Sequence, residues 1–204
     1  MDVATLLSAA THLPAALPIN PLGSPSAAGW SSGTAIIVAV IAALGGGAFG
    51  AAIGALPAFI MTGFLVIAGS VASSLGVQGA SASIFAVAWG PMFGPHVAFQ
   101  SGTAAAAYAK KYRPEVLEDA KNILVPLGVE PDILAVGAVF GAVAQILKMA
   151  TDYVTGSSGA LGFAHIAWII VVLALVHRAV FGYSIVGDRE KVEEEGSSWM
   201  SFYH

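Results

Sequence analysis

The chain has 204 residues, 57% of them hydrophobic and 10% charged, and its mean hydropathy is +0.81. A soluble domain carries about a quarter of its residues as charges, so this composition excludes one and points to an integral membrane protein. The absence of cysteine excludes disulfides, thiolate metal sites and thiol nucleophiles, and the formal net charge of −4 comes mostly from one solvated tail run, DREKVEEEG.

Apolar windows of about 20 residues, the length a helix needs to cross hydrocarbon, recur along the chain, whereas alternating strands of the barrel type do not. The expected fold is all-α and polytopic, with about five transmembrane helices, one of them broken or re-entrant at Gly90 to His96. Three regions follow. Residues 1–32 form an N-terminal interfacial and linker segment. Residues 33–183 form the transmembrane domain, which includes a cytoplasmic surface helix and loop at 112–131. Residues 184–204 form a cytoplasmic tail.

The first residues lack a basic stretch and are interrupted by Pro14 and Pro18, which fits an interfacial helix better than a cleaved signal peptide. GSPSAAGWSSG then leads into an apolar run too long for one span. Pro57, with no N–H to donate, is the expected start of a second helix, so spans are placed near 34–55 and 57–76. In the first, Gly46, Gly50 and Gly54 recur every four residues and fall within an arc of about 80°, a face along which another backbone can approach closely. The partner face is expected in the same chain or in a second copy.

The next apolar segment, Ala80 to Ala109, would extend about 45 Å as a straight helix, against about 30 Å of hydrocarbon. Gly90-Pro91 and Gly94-Pro95 supply a break, since each proline removes a donor and disfavours helix at the residue before it. Pro95 is the expected first residue of a second half-helix, with His96 in its first turn. Unwound backbone deep in a bilayer is tolerated where it is buried in protein or faces a wet cavity. Helix N-termini at such a place favour anionic or strongly polar solutes. Gln100, Ser101 and Thr103 would add side-chain hydrogen bonds. The competing reading is a proline kink with its histidine bonded to a carbonyl.

Beyond KKYR, Val116, Leu117, Ala120, Ile123 and Leu124 share one helical face, which predicts the surface helix. Asp132 is the expected N-cap of a helix running to about Tyr153. On that helix Gly137, Gly141, Gln145, Lys148 and Asp152 lie within about 80° of one another. Lys148 and Asp152, at i and i+4, can pair facing a cavity, or Lys148 can snorkel to the interface. The last span is expected from Leu161 to about Tyr183. Its His165 and His177 lie about 120° apart, and His177 with Arg178 is read as an interfacial anchor.

No Lys or Arg precedes Lys110. Lys110, Lys111, Arg113 and Lys121 share one loop, and Arg178, Arg189 and Lys191 come two spans later. These loops are therefore expected on the cytoplasmic side, with the C-terminus inside, in a cell (inner) membrane. A single crossing by 80–109 puts the N-terminus outside, and a re-entrant hairpin puts it inside.

No metal-ligating pair within a span, nucleophile elbow, phosphate loop or basic patch is present, so no cofactor, metal, nucleic acid or enzymatic reaction is expected. An intramembrane enzyme using His96 with Asp152 has the least support. The leading expectation is a channel or facilitator for a small polar or anionic solute, working as a homo-oligomer. Its path would be lined by Gly90, Pro91, Gly94, Pro95, His96, Gln100, Ser101, Thr103, Gln145, Lys148 and Asp152, and its helices packed through Gly46, Gly50, Gly54, Gly137 and Gly141. The alternative is a non-catalytic subunit of a larger membrane complex, with the glycine stripes as docking faces.

Overall fold

A computed structural model of the protein describes residues 33–117, 122–155 and 165–183. The described residues form six α-helices and no strands: α1 Gly33–Ile53, α2 Ala55–Ser74, α3 Gln78–Ala88, α4 Ala98–Tyr112, α5 Pro131–Thr155 and α6 His165–Val180. Three of them, α1, α2 and α5, are long and apolar enough to cross a membrane, while α3 and α6 are shorter apolar helices. At 1.5 Å per residue their 21, 20 and 25 residues extend about 30 to 38 Å, enough for the hydrocarbon layer.

The distribution of side chains is inverted relative to a water-soluble bundle. Outward-facing positions carry Ile37, Ile41, Phe64, Ile67, Val139, Val171 and Val180, all exposed, whereas the interior is mostly alanine and glycine and holds the polar side chains of His96, Gln100 and Gln145 beside a few large apolar ones such as Ile133, Ile169 and Leu173. Apolar side chains facing out with polar ones inside are consistent with an integral membrane protein.

The most enclosed helix is α4, with Ala98, Gln100, Ser101, Gly102, Ala104 to Ala107 and Ala109 all buried. Small side chains let the surrounding helices close on it. On α1, a Cβ at Gly46 would fall into the Met92 carbonyl and one at Gly50 into the Ala98 carbonyl. An adjacent flank of α1 meets α5 at Gly47, where an added Cβ would strike the Gly137 carbonyl, and at Ala43, whose carbonyl faces Gly141. The expected glycine faces are thus occupied within one chain. Gly54 serves differently, because its φ of +93° breaks the chain between α1 and α2. A Cβ there would be strained by that angle and would lie 2.9 Å from the Val125 carbonyl oxygen.

Because Gly54 makes the turn, α2 begins at Ala55 and Pro57 lies in its first turn, not at its first residue. The chain then runs back alongside the segment that follows. A Cβ at Gly102 would lie 2.7 Å from Ala55 Cα, Phe59 and Phe99 have ring centroids 5.4 Å apart, Thr62 Oγ1 donates to the Phe93 carbonyl at 2.8 Å, and Gly69 faces the Phe85 ring. As α2 ascends from Ala55 to Gly69 its partners descend from Gly102 to Phe85. The course α3, residues 89–97 and α4 is therefore antiparallel to α2 over most of its length.

At one end of the bundle, Arg113 ties α4 to the start of α5. Its Nη1 donates to Asp132 Oδ1 and Oδ2 at 2.9 and 2.8 Å, Nη2 to Glu130 at 2.9 Å and Nε to Glu115 at 2.7 Å, while Tyr108 donates to Asp132 at 3.2 Å. Its hydrogen bonds to Glu115, Asp132 and Glu130 push the guanidinium pKa above its already high range, so the group is permanently charged. One difference from the sequence expectation is that α5 begins at Pro131, so that Asp132 sits in its first turn, where it is bound to Arg113. Lys111 and Tyr183 complete this end, donating to the carbonyls of Phe181 and Ala107.

Within 112–131, where a surface helix and loop were expected, Tyr112 is the last residue of α4, and the described residues 113–117 and 122–130 are turns and irregular chain. Val116 N–H reaches the Arg113 carbonyl, and the Ile123 carbonyl accepts from Leu56 at the start of α2. Residues 118–121 lie outside the described residues, as do the N-terminal segment 1–32, the turn at 156–164 and the tail 184–204.

Candidate polar site inside the bundle

Residues 89–97, between α3 and α4, are a series of turns. Gly94 N–H bonds the Gly90 carbonyl, and Val97 and Ala98 N–H both reach the Gly94 carbonyl, so part of the backbone freed by Pro91 and Pro95 is repaired locally. Helix α4 consequently starts at Ala98, three residues later than Pro95, and His96 lies in the turn before it. Gly90, Pro91, Gly94 and Pro95 are buried. Gly94 is needed for close approach: a Cβ there would lie 2.6 Å from both the Gly90 carbonyl oxygen and His96 Cε1.

His96 has no exposed surface, and its Nε2 is 3.0 Å from Gln145 Oε1 on α5. Among the described residues, three buried side-chain atoms here have no hydrogen-bond partner: His96 Nδ1, Gln145 Nε2 and Ser101 Oγ on α4. Next to them Gln100, also fully buried, lies 3.3 Å from His177 Nδ1 on α6. With its amide turned to suit the neighbouring backbone, Gln100 Nε2 donates to the Ile170 carbonyl at 3.2 Å and its oxygen accepts from Ala174 N–H at 3.3 Å. Thr103 is half-buried and donates to the Gln100 carbonyl at 2.7 Å, which spends its proton on its own helix.

Asp152 lies two turns further along α5, about 10 Å from Gln145 by helical rise. Its Oδ2 holds Lys148 Nζ at 2.5 Å, its Oδ1 faces His165 Nδ1 on α6 at 2.8 Å, and His165 Nε2 lies 3.0 Å from Thr155 Oγ1. The side chains of Lys148 and Asp152 are 14% and 5% exposed, so Lys148 turns inward to the carboxylate instead of snorkelling. Gly137, Gly141, Gln145 and Asp152 all belong to the buried face of α5.

One histidine was placed differently by the sequence. His177, read as an interfacial anchor, is buried against Gln100 and, edge to face, the Phe140 ring 6.2 Å away. His165 is buried on Asp152. The signal that unites them is a spacing of four, His165, Ile169, Leu173 and His177, which are the buried residues of α6. Each step of four drifts by about 40°, so residues 120° apart still belong to one continuous stripe winding around the helix. Among the described residues, no three His, Asp or Glu side chains are grouped to hold a metal ion.

No curated protein and no solved structure matches the chain. Residues 30–199, which contain every described helix, match a family described as a family of unknown function, DUF7973, and the chain belongs to that family.

Proposed function

We propose that the protein is a channel or facilitator that passes a small polar solute through the interior of its own helix bundle. The reading takes α1, α2, α3 with α4, α5 and α6 as five crossings, α3 and α4 forming one interrupted span. Support for that count comes from the antiparallel course of α3 to α4 along α2, since a re-entrant hairpin would turn back on itself. Residues 33 and 155 then lie outside, and the Arg113 end faces the cytoplasm of a cell that carries this chain in its inner membrane, by the excess of Lys and Arg there. Lys110→Cys and Ser74→Cys, each in this cysteine-free chain, are expected to react with an impermeant maleimide from the cytoplasmic and the external side respectively. Labelling of both from one side contradicts a single crossing.

The observation that carries the permeation reading is the set of three unpartnered buried atoms at the interrupted span. A buried polar group without a partner costs about 1–3 kcal/mol, and native interiors avoid that cost by admitting water or ligand. The Met92 end of this segment packs on Gly46, and Gln145 lies near the middle of α5, so in this arrangement the His96–Gln145 pair sits well inside the membrane. Lys148, Asp152 and His165 continue the polar face toward the external end. The subunit reading is weaker, because the glycines it needs as docking faces are already packed within the chain. For the same reason the proposed path belongs to a single chain, whatever assembly it joins.

Purified protein in liposomes tests the reading through stopped-flow swelling. Wild-type vesicles are expected to take up small polar solutes faster than protein-free vesicles, and His96→Ala is expected to change that rate at least about fivefold, the kinetic equivalent of one buried hydrogen bond. Rates equal to protein-free vesicles for every solute, with correctly folded protein, reject permeation.

A further inference from the structure

We infer that the solute met at His96 and Gln145 is neutral and carries both hydrogen-bond donors and acceptors, as an amide or a urea does, and is not an anion. The inference rests on the permeation reading and concerns what the same site recognises. His96 Nε2 and Gln145 Oε1 bond to each other at 3.0 Å, leaving His96 Nδ1 and Gln145 Nε2 as the open ends of the pair. In this arrangement the neutral ring donates through Nε2, so Nδ1 presents a bare lone pair while the amide nitrogen presents N–H. Turning the amide over reverses both roles: the ring then donates outward from Nδ1 and the amide oxygen accepts. In either state the pair offers one donor end and one acceptor end. Ser101 Oγ, also unpartnered, can act in both senses.

An acceptor-only anion satisfies the donor end and meets repulsion at the lone pair. It would also need a cation to offset its lost hydration. Lys148, the cation on the same face of α5, is bound by Asp152, which also holds His165. A neutral solute with both kinds of group satisfies both ends and carries no Born cost across the bilayer.

Urea and nitrate separate these cases, because both are planar, trigonal and built from equal numbers of non-hydrogen atoms, while urea is neutral with donors and an acceptor, and nitrate is an acceptor-only anion. Proteoliposome swelling is measured in gradients of urea, and of potassium nitrate with valinomycin to carry the counter-ion. The inference predicts urea entry at least about tenfold above protein-free vesicles and nitrate entry at the protein-free rate. Gln145→Met, which keeps the length and removes the amide, should lower the urea rate about tenfold. The wild-type comparison stands alone should that variant not fold. Nitrate entering as fast as urea, or faster, overturns the inference and leaves permeation intact. Failure of both solutes, together with all others, removes the permeation reading itself.

Discussion

Gly47→Ala and Gly50→Ala are expected to destabilise the protein by about 3 kcal/mol each or more, the upper end for overpacked cores, although alanine is the better helix former by about 1 kcal/mol. The reason is what the added methyl meets. At Gly47 it strikes the Gly137 carbonyl with Gly141 Cα 3.0 Å away, and at Gly50 it strikes the Ala98 carbonyl. Both obstacles are backbone, which cannot rotate aside as a side chain does, so a helix axis has to move. Gly45→Ala is the internal control, since nothing lies within 4 Å of a Cβ at that position, and there propensity alone should leave stability equal or slightly raised. Thermal unfolding in a mild detergent, scored by monodispersity, compares the three. Equal melting of all three would mean that α1 is not clasped between α5 and α4.

Asp152→Ala is expected to cost about 3 kcal/mol, the lower part of the range for breaking a buried pair, because Lys148 retains some access toward the helix end. The substitution removes the acceptor of both Lys148 Nζ and His165 Nδ1. It leaves an ammonium largely buried and an imidazole facing an empty site. Replacing both members, Lys148→Met with Asp152→Leu, should recover most of the loss, since a buried pair often exceeds its hydrophobic replacement little or not at all. A double-mutant cycle on unfolding free energy measures the coupling. Additive effects would show that the two side chains do not depend on each other.

Much of this architecture is written in local patterns. The uncharged run ahead of Lys110, the length of 80–109 and its two Gly-Pro pairs all act within one or two turns of chain, and a non-helical stretch follows from them between Ala88 and Ala98. The face shared by Gly137, Gly141, Gln145 and Asp152 was visible as a helical period. Tertiary choices were not. Whether Gly54 packs like Gly46 and Gly50 or turns the chain depends on the φ it adopts, and spacing alone treats the three alike. Asp132 looks like a cap because the sequence does not reveal that Arg113, 19 residues earlier, claims both its oxygens. His177 looks like an anchor beside Arg178 because a helical wheel of a straight rod hides the winding stripe that carries it to Gln100. Gly47 falls outside the four-residue spacing of Gly46, Gly50 and Gly54, yet it faces α5 while Gly46 and Gly50 face Met92 and α4.

If the bundle passes a polar solute, the chain interrupts its hydrogen-bond ladder inside the bilayer in order to present polar groups to water or solute. Magnetisation transfer from water protons to side-chain nitrogens, recorded by solid-state NMR on the protein in lipid bilayers, tests it without any choice of solute. The account predicts transfer to His96 Nδ1 and Gln145 Nε2 on the timescale seen for Arg113 at the exposed end. Transfer to Arg113 with none to His96 or Gln145 would show a dry, sealed bend, and would contradict it.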